Sequence, residues 1–405
     1  MGGFLCISDT AVDWLQKRPE GLCFFVCLAA AAAAGGVHVP AFSENNMSDH
    51  ASVRIIEPRD GDVLNHNDGE ETAEGLSISV RGVAPEKGPV RVNGRDARVE
   101  GGTYSCAVPI EGRRNTIVAE AGDQRDSIEV WWDKASRKRY RFSVDDNIQF
   151  LKDLAADPDK YASLFDHWYL EFWREMHNAY GAKIHINIYY QTDGFNLRQM
   201  PDKWKPEWQA NAPWLHLSFH ALADKPDRPY MGASYEQIAH DYDLVVAEIR
   251  RFAGPEVLTR TTTVHWAECP KGAVKALRDR GIEQLIGLFG SSHGVTTACY
   301  YLSPEQSAHC DGRPAWYDKD TDVFFIPCAI VVNSYGVGEI KTRLDARAAS
   351  PHAVELVELL IHEQYFRKEL EYYQPDVMDK VRAALEWVKG RGYEPVFWSD
   401  GFLGL

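Results

Sequence analysis

From Ser52 to Asp133 apolar and polar residues alternate in short runs, SVRIIEP, LSISVRGVA, PVRVNG, TYSCAVPI, NTIVAEAG and DSIEVWW, broken by Gly, Pro, Asn and Asp. Alternation of period two with turn residues at this spacing predicts antiparallel strands packed as a small sandwich. Asn93-Gly94 predicts a hairpin, because both residues tolerate positive φ. The basic run DKASRKRYR (133–141) reads as a linker that few buried contacts should cross.

Beyond the linker the period changes. RYRFSVDD, 182–190, 261–268, 284–290, 323–332, 358–362 and 395–398 read as strands, and 147–179, 233–254, 271–281 and 376–391 as helices. Strands alternating with helices predict parallel strands joined by helical crossovers, in a barrel or an open doubly wound sheet. No GxGxxG or P-loop follows a strand, which argues against dinucleotide or nucleoside triphosphate binding.

Length and charge narrow the function. A chain of 405 residues holds two or three domains. With Lys+Arg 44 against Asp+Glu 59, the net charge of −15 repels phosphate backbones and anionic lipid, so neither nucleic acid nor a membrane surface is an expected partner. Cys6, Cys23 and Cys27 lie in a peculiar N-terminal segment; the other five are scattered, which predicts reduced core thiols, with a Cys299–Cys310 bridge as the alternative. Residues 21–37 follow Lys17-Arg18 and precede small residues ending near Ala41, the layout of a secretory signal, while Asp9, Asp13 and Glu20 speak against export. Two readings stay open: a secreted protein with a cleaved signal, or a cytoplasmic one translated from Met47 with residues 1–46 a spurious extension. The apolar stretch is too short and alanine-rich for a membrane span.

In a parallel barrel the active site lies at the C-terminal strand ends. The polar residues that end apolar runs are Asp145-Asp146, His220, His265 with Glu268, and His362-Glu363. Carboxylate and imidazole on one rim suit a divalent metal, Zn2+ above all, with an open position for water. Taken alone, Asp146 also reads as a helix N-cap and each histidine as a hydrogen-bonded rim residue. Trp204, Trp208 and Trp214 recur at near-regular intervals in the loop before His220 and read either as a cap or as a sugar-stacking platform. The loop 291–322 is a second candidate for shaping the pocket, and a His309–Cys310 nucleophilic pair is disfavoured, since adjacent loop residues seldom face each other.

FSVDDN, the later HLSFH, a late strand ending in histidine and the closing unit VRAALEWVKGRGYEPVFWSD together resemble the polysaccharide deacetylase (NodB-homology, carbohydrate esterase family 4-like) domain, over residues 139–405. The run VNG…TYSCAVPIEGRRNTIVAEAGD resembles bacterial immunoglobulin-like modules, over residues 52–133. The resemblance implies a multidomain chain, an immunoglobulin-like β-sandwich followed by an irregular βα barrel. It implies a metal-dependent hydrolase that removes N- or O-linked acetyl groups from a carbohydrate, with a metal-activated water as nucleophile. Matched position by position, Asp145 is the general base, Asp146 a metal ligand, His216 and His220 the metal histidines, and His362 the general acid. The family's Arg-Pro-Pro motif is absent; that strand reads RTTTVHWAE and presents His265 and Glu268. In an extended strand His216 and His220 stand about 13 Å apart, too far to share one ion, so His265 is the alternative third ligand unless the chain turns after Leu217. Trp204, Trp208, Trp214 and Glu268 are the expected substrate contacts. The rival readings are a non-catalytic glycan-binding protein on the same barrel, and a metal-dependent hydrolase or lyase acting on another bond.

Overall fold

In a computed structural model, residues 52–404 are described apart from 86–87, 293–294 and 297–298, so the signal-like segment 1–46 lies outside the described residues. The alternating runs from Arg54 to Trp132 form two five-stranded sheets. One side of each long strand is buried: Leu76, Ile78, Val80 and Val108 of one sheet share a core with Ile117, Ala119 and Val130 of the other. Asn93 (φ 46°) and Gly94 (φ 76°) make the expected turn between Arg91–Val92 and Arg95–Asp96.

The remainder is mixed α/β. Its strands are β1 (Arg139–Asn147), β2 (Ile184–Tyr189), β3 (Leu215–Ala221), β4 (Thr261–Thr262), β5 (Gln284–Gly287), β6 (Val323–Pro327), β7 (Ile330–Val331) and β8 (Leu356–His362). One sheet has the order β3-β2-β1-β8-β7, all parallel, and a second runs β4-β5-β6 in parallel with Trp316–Asp318 antiparallel at its edge. Parallel strands are usually apolar on both faces. β5 and β6 follow that rule, but β1, β2 and β3 are apolar on one face only. Phe142, Val144, Ile184, Ile186, Leu215, Leu217, Phe219, Leu359 and Ile361 pack with the helices in the main core. The alternate positions, Arg139, Arg141, Ser143, Asp145, His185, Asn187, His216, Ser218, His220 and Glu358, are polar and equally buried.

Several elements differ from the sequence pattern. The segment 147–179 is two helices, Gln149–Ala156 and Trp168–Tyr180, parted where Pro158 opens a short 3-10 turn and Ser163 caps another. The strand expected over 261–268 stops after Thr262, because the chain turns at Trp266 (φ 67°) and Ala267 (φ 49°). The run 323–332 divides at Cys328, β6 pairing with β5 and β7 with β8, so one apolar run serves two sheets. The segment 291–322 holds a helix, Pro304–Asp311, and the strand Trp316–Asp318. At the end only Glu394–Pro395 pairs with β1, and Trp398–Gly401 is a short helix. Helix Val337–Ala348 buries only Ile340 and Leu344, too few to show as a period.

The linker is not the sparse boundary its basic composition suggests. Arg139 is fully buried and pairs with Asp133. Val63 and Trp131 pack in one apolar cluster with Ile286, Tyr317 and Phe324, the Trp131 ring lying 4.9 Å from Tyr317 and 5.0 Å from Phe324. Arg313 donates to Asp68 Oδ1 and to the Val63 carbonyl, both at 2.9 Å. A buried charge that loses its partner costs roughly 3–5 kcal/mol. Because His352 also reaches Asp68, at 2.7 Å, Arg313→Ala should lie near the bottom of that range, about 3 kcal/mol, with a single unfolding transition in urea. An unchanged midpoint would show that the contact contributes nothing.

Candidate metal centre

By strict alternation Asp145 points into the polar face of the sheet and Asp146 away from it. The β1–β2 register shifts between Val144 and Asn147, a β-bulge, and Asp146 takes φ 61°. A bulge of this kind turns one extra side chain toward the same side, and aspartate tolerates the left-handed region better than most residues. Both carboxylates therefore serve one site. Asp146 is freed from capping, because Glu363 does that work: its carboxylate accepts from the backbone N–H groups of Ile148, Gln149 and Phe150 at 2.8–2.9 Å.

Around Asp146 Oδ1 stand His220 Nε2 at 2.9 Å, His265 Nδ1 at 3.1 Å and the Tyr189 hydroxyl at 2.5 Å. His220 comes from the end of β3, and His265 from the turn after β4 that the positive φ of Trp266 and Ala267 creates. Strain of this kind gathers where side-chain aim matters more than backbone comfort. Gln364 Nε2 donates to the other carboxylate oxygen at 2.8 Å. His220 Nδ1 lies 2.6 Å from the Thr263 carbonyl and must donate to it, which in the neutral ring leaves the Nε2 lone pair directed at a carboxylate and, 3.1 Å away, at His265 Nδ1. Three acceptor atoms from Asp146, His220 and His265 thus lie within 4.8 Å of one another. Such a group needs a proton or a cation at its centre. Two imidazoles and a carboxylate fit a divalent ion of the Zn2+ type, and the hydrogen bond from His220 to Thr263 is the outer support that such ligands commonly have.

Protonation follows the same geometry. Burial opposes charge on Asp146, yet hydrogen bonds from His220 and His265, with the charges of His362 and His265, bring its carboxyl well below the usual range. Burial lowers His220 less than Asp145 and Asp146 raise it, so its imidazole sits above its ordinary value.

The other expected residues divide. Asp145 is buried, accepts from Asn187 Nδ2 at 2.6 Å and is the register partner of His362. His362 Nδ1 faces Asn333 Oδ1 at 2.9 Å. His216 is not at the site: β3 is one strand from Leu215 to Ala221 whose register shift falls after Phe219 and not after Leu217, so the chain never makes the turn that would bring His216 to His220. Its ring stacks on Phe397 at 3.6 Å, and burial, with Lys183, pushes its pKa down to about 3. Trp204, Trp208 and Trp214 are buried core residues, Trp204 bonded to the Tyr161 carbonyl and Trp214 stacked on His177, so no ring face is open to a sugar. Glu268 is buried and pairs with Arg228 at 3.1 Å. All five cysteines among the described residues, Cys106, Cys269, Cys299, Cys310 and Cys328, are buried and free of disulfides, and His309 is taken by Asp62 rather than by Cys310. Sequence reading missed Asn187, Tyr189, Asn333 and Gln364. The first two were visible as polar residues at every second position of KIHINIYY.

The chain matches no family model and no curated protein. Similar solved structures include the 4-alpha-glucanotransferase of Thermococcus litoralis, at 11% identity over 65% of this chain with a TM-score of 0.41. This chain spans 40% of that one. Others are a family 4 acetyl xylan esterase from Clostridium thermocellum in complex with a cobalt ion, at 13% identity over 64% of this chain and 87% of that one with a TM-score of 0.32, and a CE4 family pseudoenzyme from Bacillus anthracis, at 9% over 64% and 63% with a TM-score of 0.28.

Two measurements test the centre. His265→Ala, Asp146→Ala and His220→Ala should each lose most bound Zn2+ in calorimetry while remaining folded, and His216→Ala should keep it; the reverse order for His216 and His265 would overturn the assignment. In the metal-free protein, the raised His220 value gives stability that is full below its unfolded value and lost as pH rises through the folded one. The lowered Asp146 value gives stability that is present above its unfolded value and lost as pH falls through the folded one. The Tm difference between the metal-free protein and its Asp146→Asn variant should therefore be largest between about pH 4 and about pH 6.5 and shrink at higher pH.

Proposed function

We propose that the protein is a metal-dependent hydrolase that removes acetyl groups from a carbohydrate. The observation that carries this reading is the convergence of Asp146, His220 and His265 beside a carboxylate, Asp145, that stands outside the cluster with His362 next to it in register. Binding alone requires neither a spare base nor a second proton-transfer group.

A divalent cation held by Asp146, His220 and His265 would polarise the acyl carbonyl and acidify water. Asp145, fixed by Asn187, takes the proton of the attacking water. Asn333 Oδ1 accepts from His362 Nδ1–H, which leaves Nε2 as the nitrogen that hands a proton to the departing amine or alcohol. Beyond His362 lie the rings of Tyr365, at 6.0 Å, and Tyr372, a further 6.5 Å on and 40% exposed. In this reading Tyr372 replaces the buried tryptophans as the aromatic surface for a sugar ring.

The test is acetate release by the zinc-loaded protein from N-acetylchitooligosaccharides and acetylated xylan. Release that chelation abolishes supports the proposal; tight glycan binding without release selects the non-catalytic alternative. Asp145→Asn should keep zinc affinity and lose about 10²- to 10⁴-fold in kcat, and His362→Ala should do likewise and remove one limb of the pH profile. A wild-type rate in either variant excludes the assigned role.

A further inference from the structure

The hydrogen bonds along the polar face of the sheet have a direction. A guanidinium only donates and an ionised carboxylate only accepts. Arg141 Nη1 faces His185 Nδ1, so that nitrogen must accept and the imidazole proton lies on Nε2. His185 Nε2 then donates to Ser218 Oγ at 2.7 Å, the Ser218 hydroxyl donates to Asn187 Oδ1, and Asn187 Nδ2 donates to Asp145 Oδ1 at 2.6 Å. Reversing the sequence would set a His185 N–H against a guanidinium N–H, two donors face to face without water.

The far end is locked. Arg141 donates to both oxygens of Glu358, at 2.8 and 2.9 Å, and Ser143 and Trp398 add one bond each at 2.8 Å. Every member from Arg141 to Asp145 is at most 3% exposed, so no water competes for these bonds. Burial, then Arg141 and His216, hold His185 far below its ordinary value, which keeps it neutral.

We propose that Arg141, His185, Ser218 and Asn187 form a polarised positioning chain that holds the Asp145 carboxylate in one orientation beside the metal cluster. The catalytic part of this inference rests on the proposed role of Asp145 as base. Their side-chain hydrogen bonds run to one another and to Glu358, Thr262, Thr263 and Asp145, and the four act through Asp145. The loss of a chain serving only to satisfy buried groups would affect stability without affecting turnover at a fixed fraction of folded protein.

The experiment has two arms on the full-length zinc-loaded protein. In the first, nitrogen NMR of histidine-labelled protein, with His185 assigned from the His185→Gln variant, should show a neutral ring protonated on Nε2, and the Asn187 carboxamide protons should exchange at least about tenfold more slowly than in Ser218→Ala. In the second, Ser218→Ala should lower kcat for acetate release from chitooligosaccharides about 10- to 100-fold, a loss typical of removing the partner that orients a functional side chain, with KM and zinc affinity little changed. His185→Gln, which can accept from Arg141 and donate to Ser218, should retain more turnover than His185→Leu. A His185 proton on Nδ1, a doubly protonated ring, unaltered Asn187 exchange or wild-type kcat in folded Ser218→Ala would each overturn the inference. Absence of acetate release from the wild type would instead refute the proposed function, with the first arm still deciding the positioning chain.

Discussion

The structure depends on the cost of burying polar groups on the inner face of a parallel sheet. Arg141 and Glu358 meet there with side chains wholly withdrawn from solvent, and an unpaired charge in such a place costs several kcal/mol. The pair survives because each Glu358 oxygen accepts two hydrogen bonds and Arg141 Nη1 finds His185. From there each residue must answer the hydrogen-bonding need of the one before it. What that leaves at the C-terminal strand ends is a carboxylate with one oxygen spoken for.

Regular geometry is broken where the site forms, at Asp146, after Thr262 and at His220, which is the extra residue where the β2–β3 register shifts. In an unbroken β1, Asp146 would turn into the apolar core on the other face; the bulge and its positive φ bring it back. In an unbroken strand after Thr262, His265 would travel on along the sheet; the turn at Trp266 and Ala267 folds it against His220. The bulge and the turn each aim a side chain at the cluster of Asp146, His220 and His265. The division of labour between neighbours has the same source: Glu363 caps a helix so that Asp146 need not.

Much of this was legible in the sequence. Runs of period two gave the two small sheets, and polar residues ending apolar runs pointed to Asp145, Asp146, His220, His265 and His362 as neighbours. His216 and His220, the expected pair, could share an ion only if the chain turned after Leu217, and β3 makes no turn there. Other features were hidden for physical reasons. Trp204, Trp208 and Trp214 have the same spacing in a core as on a platform, and only the packing of Phe165, His177 and Phe252 against them decides. Trp131 meets Tyr317 and Phe324 across nearly two hundred residues and Val63 joins them from still further away, beyond the reach of any local pattern, so the basic linker looked like a boundary. Asn187 and Tyr189 read as strand residues, since neither type announces chemistry by itself.

The account turns on one place where a cation should sit. Crystals of the zinc-loaded protein, measured on either side of the zinc absorption edge, should give an anomalous peak bounded by Asp146, His220 and His265, with Asp145 close by but bound to Asn187 and not to the metal. A peak coordinated by His216, a peak with Asp145 as a direct ligand, or no peak at this cluster in protein that holds stoichiometric zinc would contradict it.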